Sequence, residues 1–173
     1  MSRAFVKEDG ADPGEPVVRQ GSGRPNYVTP AGLAALRKRA AELAGLRSGL
    51  LAGRRPEEPR SLELRQAEAD LEYCESQIKR AILVDNRGLA AGDVRFGAAV
   101  KVRERDGSLK ELLIVGEDEA DPASGRINWA SPLAASLLGK KTGDRVLLNR
   151  PGGPSEVEIV AVGYPGSAGT GRR

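Results

Sequence analysis

The sequence predicts an α+β protein, with an antiparallel α-helical coiled-coil hairpin at its N-terminal side and a small mixed α/β domain after it. Three observations carry this expectation. Apolar residues between Leu33 and Ala81 recur at steps of three and four, on both sides of a proline-containing break. From Asp93 onward the apolar period changes to two. Aromatic residues are only 3% of the chain, so a small core with an extended helical element fits better than one large core.

Residues 1–26 are rich in Gly, Pro, Asp and Glu without periodicity and are expected to form a mobile tail. The helical arm is expected over residues 27–85. Its first helix starts at Thr29-Pro30, where a threonine can cap the first turn and a proline suits the first helical position. Leu33, Leu36, Ala40, Leu43, Leu46 and Leu50 form one stripe, and Gly53 follows as a natural stop. The stretch 54–61 is a turn, because Pro56 and Pro59 forbid a helix through it. Leu64, Ala67, Leu71, Cys74, Ile78 and Ala81 then give a heptad seam in a second helix reaching about Leu83.

Residues 86–92 are expected as a linker and residues 93–165 as the mixed domain. Val94, Phe96, Ala98, Val100 and Val102 alternate with charged residues, as in a half-buried strand. Asp106-Gly107 signals a hairpin turn, and Leu109 to Val115 its partner strand. A short strand over 126–130 precedes Ser131-Pro132, a second cap-and-proline start, with a short helix closed by Gly139. The last strands are expected over 145–149 and 156–162, joined through Pro151-Gly152-Gly153, and residues 166–173 form a loose end.

Composition excludes several function classes. The chain has no histidine and one cysteine, Cys74. That removes histidine-based acid–base catalysis, Ser-His-Asp triads, an internal disulfide and a thiolate metal site. The net charge of +3 is too mild to define a dedicated DNA binder. No apolar run approaches a membrane span, and the first residues lack the apolar region of a signal peptide. The expectation is a soluble cytoplasmic monomer without membrane contact and without a cofactor of its own.

The second half resembles the C-terminal domain of the GreA/GreB transcription elongation factors. The matching text is Phe96-Gly97-Ala98, Ile114-Val115-Gly116, Glu119-Ala120-Asp121, Ser131-Pro132-Leu133-Ala134, Leu137-Leu138-Gly139-Lys140-Lys141, Gly143-Asp144, Pro151-Gly152-Gly153 and Tyr164. Thr29-Pro30-Ala31-Gly32-Leu33 and Cys74-Glu75 resemble the family's arm, and the likeness spans about residues 27–165. It implies a coiled-coil arm on an FKBP-like domain that docks at the rim of the RNA polymerase secondary channel. It also implies acidic residues at the arm tip that help hold a second Mg²⁺ in the polymerase's own active site, where RNA is cleaved by two-metal chemistry.

Against that pattern the tip departs. The family tip reads roughly Gly-Asp-Leu-x-Glu-Asn. Here the centred register places Glu57 near the first acid and Arg60 at the second, with Glu58 as a further candidate. The arm is also about one heptad per helix shorter than the resemblance leads one to expect, which retracts the tip by about 10 Å. Direct coordination of Mg²⁺ needs a carboxylate within ~2.1 Å.

Glu57 and Glu58 are thus candidate tip acids, though acids near a helix start are also ordinary dipole partners. Arg54, Arg55 and Arg60 are candidates for contact with nascent RNA or the polymerase channel, or members of a cross-helix charge pattern. Glu117, Asp118, Glu119 and Asp121, with Ser131 and Pro132, are candidates for polymerase binding. Cys74 is expected in the apolar seam and Trp129 in the core. The leading expectation is a polymerase-binding regulator that does not efficiently stimulate transcript cleavage. Its alternative is a conventional cleavage-stimulating factor using Glu57 and Glu58. A prolyl isomerase would need an aromatic-lined pocket, and the domain offers only Phe96, Trp129 and Tyr164. A coiled-coil spacer would not need the ordered blocks of the second half.

Overall fold

The computed structural model describes residues 14–90, 92–150 and 152–164. The expected loose end 166–173 and the first half of the expected tail lie outside the described residues. The chain divides into two compact units: residues 36–79 with 14–24, and residues 25–35 with 80–164.

The helical unit holds most of α1 (Pro30–Ala52) and α2 (Leu62–Arg80). The helices run antiparallel through the turn at 53–61. Ser61 caps α2, its hydroxyl accepting from the Leu64 N–H at 3.2 Å. Leu36, Leu43, Leu64, Ala67 and Cys74 are buried, as the two stripes require. The seam departs from expectation elsewhere. Leu71 and Ile78 are only half-buried, Leu46 is 43% exposed, and Gln77 is buried instead. Two helices alone cover one face of each other, so apolar residues on the flanks stay open to water.

Of the expected tail, residues 14–20 lie along α2. The Val17 N–H donates to Gln66 Oε1 at 2.7 Å, and Gln66 Nε2 donates to the Val17 carbonyl at 3.0 Å. Arg65 reaches the Gly14 carbonyl at 2.6 Å, and the Arg19 guanidinium sits 5.7 Å from the Tyr73 ring centre.

The second unit begins with β1 (Asn26–Val28), which pairs in parallel with β2 (Ala81–Leu83). The helix expected to reach Leu83 therefore ends at Arg80, because its last residues are taken into this ladder. The main sheet has five strands in the order β5-β4-β3-β7-β6. They are β3 (Ala99–Arg103), β4 (Leu109–Val115), β5 (Arg126–Asn128), β6 (Arg145–Arg150) and β7 (Gly153–Gly163). Only the β4–β5 pair is parallel. The hairpin at Asp106-Gly107 forms as expected, with Gly107 N–H donating to Glu104 O at 3.0 Å.

Strand β3 starts later than the alternation predicts. Gly97 has φ of 80°, a left-handed conformation that turns the chain between Arg95 and Ala98. Val94 and Ala98 are still buried, so period two survived without a strand to carry it. Helix α3 (Pro132–Leu137) lies over the sheet and buries Ala134 and Leu137. Ser131 caps it, accepting from the Ala134 N–H at 3.1 Å. The core between them is built from Val100, Val102, Ile114, Leu148, Val157 and Ile159. Among the described residues no helix is long and apolar enough to cross a membrane.

Candidate functional site

Two places gather the residues singled out by sequence, and each lies within one unit. The first is the turn between α1 and α2. Arg54 donates through Nη2 to the carbonyls of Pro56 and Glu58, so its guanidinium closes the turn from inside. The Glu58 carboxylate folds back, its Oε2 lying 3.4 Å from the Arg55 N–H. Arg60 pairs with Glu68 at 2.8 Å, and Arg47 meets the same carboxylate at 3.4 Å. Glu57 and the Arg55 side chain are exposed and make no bond with a described residue. The turn thus presents one unengaged carboxylate and one unengaged guanidinium, while the other charges hold its shape.

The second place is the loop after β4. Residues Glu117–Glu119 and Pro122–Ser124 form two short 3-10 turns. Neighbours in such a turn point about 120° apart, and the acids separate accordingly. Asp118 is exposed, while Glu119 is half-buried and turned onto the first turn of α1. Its carboxylate accepts from the Thr29 N–H at 2.9 Å and from the Thr29 hydroxyl at 2.5 Å. The Thr29 hydroxyl in turn accepts from the Gly32 N–H at 3.0 Å, which is the cap expected from sequence. Asp121 pairs with Arg126 at 3.4 Å. Its carboxyl is held below the ordinary value first by a hydrogen bond from Ser124, then by Arg126.

Ser131 spends its hydroxyl on capping α3, and Pro132 is exposed at that helix start. Cys74 is buried in the helical unit. Trp129 is half-buried, with Tyr27 edge-on against it at 4.9 Å, and Phe96 meets Tyr27 from another side at 6.0 Å. Tyr164 is buried and donates to the Asp93 carbonyl at 2.8 Å. A cavity of about 180 Å³ lined by Thr29, Pro30, Val84, Asn86, Arg87 and Leu113 has no aromatic wall. Among the described residues no group of three or more His, Cys, Asp or Glu is placed to hold a metal ion.

The sequence offers Glu117, Asp118, Glu119 and Asp121 together as candidates for polymerase binding and does not reveal that Glu119 turns inward onto Thr29. Two glycines were the available signal. A Cβ at Gly32 would collide with the Glu119 carboxyl, and one at Gly116 with the Tyr27 carbonyl. Both are sites where only a residue without a side chain lets the pieces meet.

The chain is similar in sequence to several known proteins. Residues 89–164 match the family described as "Transcription elongation factor, GreA/GreB, C-term". Transcription elongation factor GreA of Shouchella clausii is 41% identical over 96 residues, which is 55% of this chain and 61% of that protein. GreA of Nitratidesulfovibrio vulgaris is 37% identical over 106 residues, 61% of this chain and 65% of that protein. The chain thus spans less than two thirds of the length of these GreA relatives. GreB of Neisseria meningitidis is 34% identical over 153 residues, 80% of this chain and 94% of that protein. Among solved structures, GreA factor homolog 1 (Gfh1) of Thermus thermophilus is 22% identical with a TM-score of 0.38, covering 80% of this chain and 99% of that one. The GreA/GreB factor of Nitrosomonas europaea has the same identity and coverage with a TM-score of 0.40.

With the GreB match extending over most of both chains, the protein belongs to the GreA/GreB transcription elongation factor family.

Proposed function

We propose that this protein is an accessory factor of RNA polymerase, not an enzyme. It binds through the sheet unit and places its helical hairpin in the secondary channel. It regulates elongation there without efficiently stimulating transcript cleavage. The observation that carries this reading is the state of the tip charges: Glu57 is unengaged, Glu58 is folded onto the Arg55 peptide, and Arg60 stands in an ion pair with Glu68.

Two-metal cleavage needs carboxylates aimed outward to share a Mg²⁺ with the polymerase. One free carboxylate beside three arginines is a poor partner for a dication, because like charges nearby disfavour its approach. Helix length works in the same direction. Helix α2 has 19 residues, and a deficit of seven residues per helix removes about 10 Å of reach. The exposed Asp118 and Pro132 are the members of the docking set that face water, and the exposed Arg55 is the tip cation offered to RNA or to the channel wall. No cofactor of its own enters this reading. The only metal is the polymerase's Mg²⁺.

The test is a transcript-cleavage assay on backtracked polymerase complexes. The protein alone should leave cleavage near its intrinsic rate. In excess over a cleavage-competent Gre factor, it should slow cleavage by that factor. Vigorous cleavage by the protein alone, abolished by Glu57→Ala or Glu58→Ala, would overturn this reading and restore a conventional elongation factor. Failure to co-purify with core polymerase would remove the partner as well.

A further inference from the structure

We propose that Glu119 is a positioning residue: it locks the first turn of α1 to the acidic loop after β4, so that the loop and the start of the arm move as one piece. This rests on the polymerase-binding reading for its consequence, though not for its geometry. It also gives Glu119 a different task from the outward acids of its loop.

The geometry is specific. One carboxylate meets both hydrogen-bond donors of a single residue, the Thr29 N–H and hydroxyl, at 2.9 and 2.5 Å. That residue is also the cap of α1, since its hydroxyl accepts from Gly32. The negative charge therefore sits at the positive end of a 23-residue helix, where the exposed peptide N–H groups attract it. Charge-assisted bonds of this kind are shorter and stronger than neutral ones.

The loop that presents Glu119 is itself pinned at both ends. At one end Gly116 lies directly under the Tyr27 backbone, with no room for a side chain. At the other, Asp121 and Arg126 exchange two backbone hydrogen bonds of 2.8 and 3.0 Å and form an ion pair. Helix α1 is continuous from Pro30 to Ala52, and the bond from Thr29 to Glu119 holds its first turn. A contact made by polymerase on Asp118, one residue from Glu119, would reach α1 through this carboxylate.

The test uses the full-length protein with Glu119→Ala, Thr29→Val, Glu119→Gln and Thr29→Ser. The first readout needs no partner: amide hydrogen exchange at Gly32, Leu33 and Ala34. Exchange there should rise roughly tenfold or more in Glu119→Ala and Thr29→Val, the scale of one lost charge-assisted hydrogen bond. Glu119→Gln and Thr29→Ser keep most donors and acceptors and should restore most of the protection. Unchanged exchange in all four variants overturns the lock.

The second readout separates positioning from docking. In Glu119→Ala and Thr29→Val, affinity for core polymerase should stay within about twofold of wild type, because the outward residues remain. Inhibition of Gre-stimulated cleavage at saturating protein should fall by about tenfold, since the arm is no longer aimed. Affinity falling in step with inhibition overturns the positioning role and makes Glu119 a docking residue. A wild-type protein that does not bind polymerase overturns the functional reading alone, and the exchange data then decide the lock by themselves.

Discussion

The sheet unit and the helical unit solve the problem of burial differently. In the sheet unit Ala98, Val100, Val102, Ile114, Ala134, Leu137, Leu148 and Ile159 are wholly inaccessible, so each is walled in by sheet on one side and α3 or its neighbours on the other. In the helical unit the buried positions are Leu36, Leu43, Leu64, Ala67, Cys74 and Gln77, and one of these is a glutamine. Around that seam lie exposed polar ties: Arg54 across the turn, Arg47 and Arg60 on Glu68, and Gln66 on Val17. A core of the first kind constrains the inward-facing residues of every strand of the main sheet and of α3 together. A single seam constrains one face, and the tip is left free to change its charges at little cost to the fold. The same contrast explains why the resemblance to Gre factors is dense in the sheet unit and sparse at the tip.

The largest expected effect that tests this contrast is in the sheet. Leu148→Ala removes a side chain with no accessible surface, and should cost about 3–5 kcal/mol in chemical denaturation. A loss below about 1 kcal/mol would mean that the sheet core collapses around the gap, and the two units would no longer differ in kind.

The arm should respond less and unevenly. Leu64→Ala, at 1% exposure, should cost about 2–3 kcal/mol, and half-buried Leu71→Ala about 1 kcal/mol, both read from the helical circular dichroism signal. Equal losses at the two positions would put Leu71 back in the seam, where the regular heptad spacing expects it.

That heptad illustrates how much was legible. Helix starts were legible because a cap and a proline act locally: Thr29-Pro30 and Ser131-Pro132 both fold as read. The turn at Asp106-Gly107 is equally local. What failed depends on distant partners. Ala81–Leu83 leaves the helix only because β1, more than fifty residues earlier, offers a parallel edge. Val94 to Ala98 alternates like a strand, but Gly97 turns it. In the tip, residue types were legible and their engagements were not: Glu58 and Arg60 could be counted from sequence, whereas their bonds to the Arg55 peptide and Glu68 are tertiary. Glu119 is legible as an acid of this loop, but its bond to Thr29 is not, because a 3-10 turn splits neighbouring acids between water and protein.

A smaller effect tests the edge of the sheet core. Tyr164 donates to the Asp93 carbonyl from a buried position, so Tyr164→Phe should cost about 1 kcal/mol by leaving that acceptor without its donor. Burial pushes the Tyr164 ionisation upward. A raised folded-state pKa means that the stability is fully present below the unfolded value, about 10, and is lost as pH rises through the folded value. The alkaline decline in stability should therefore be shallower in Tyr164→Phe. An unchanged slope would assign the decline to other groups.

The smallest expected effect is the most informative about the tip. Arg60→Glu restores an acid where the family resemblance expects one, yet it should yield no gain in transcript cleavage. Its only visible consequence should be a slight loss of arm stability. The new carboxylate would face Glu68 in place of a cation, and exposed pairs of this kind are worth at most about 1 kcal/mol at low salt. The loss should shrink as salt screens it. On the proposed reading cleavage should stay absent because charge is only one of two expected deficits: an arm one heptad shorter in each helix would leave the tip about 10 Å short, more than a side-chain rotamer can span. Inserting seven residues into each helix together with Arg60→Glu should then bring cleavage up, while the insertions alone should bring up less. If Arg60→Glu by itself produces vigorous cleavage, length is irrelevant and the tip differs from a conventional Gre factor by a single charge. If the double change produces none, the defect lies below the tip, in how the arm is aimed, and the lock at Thr29 becomes the place to look.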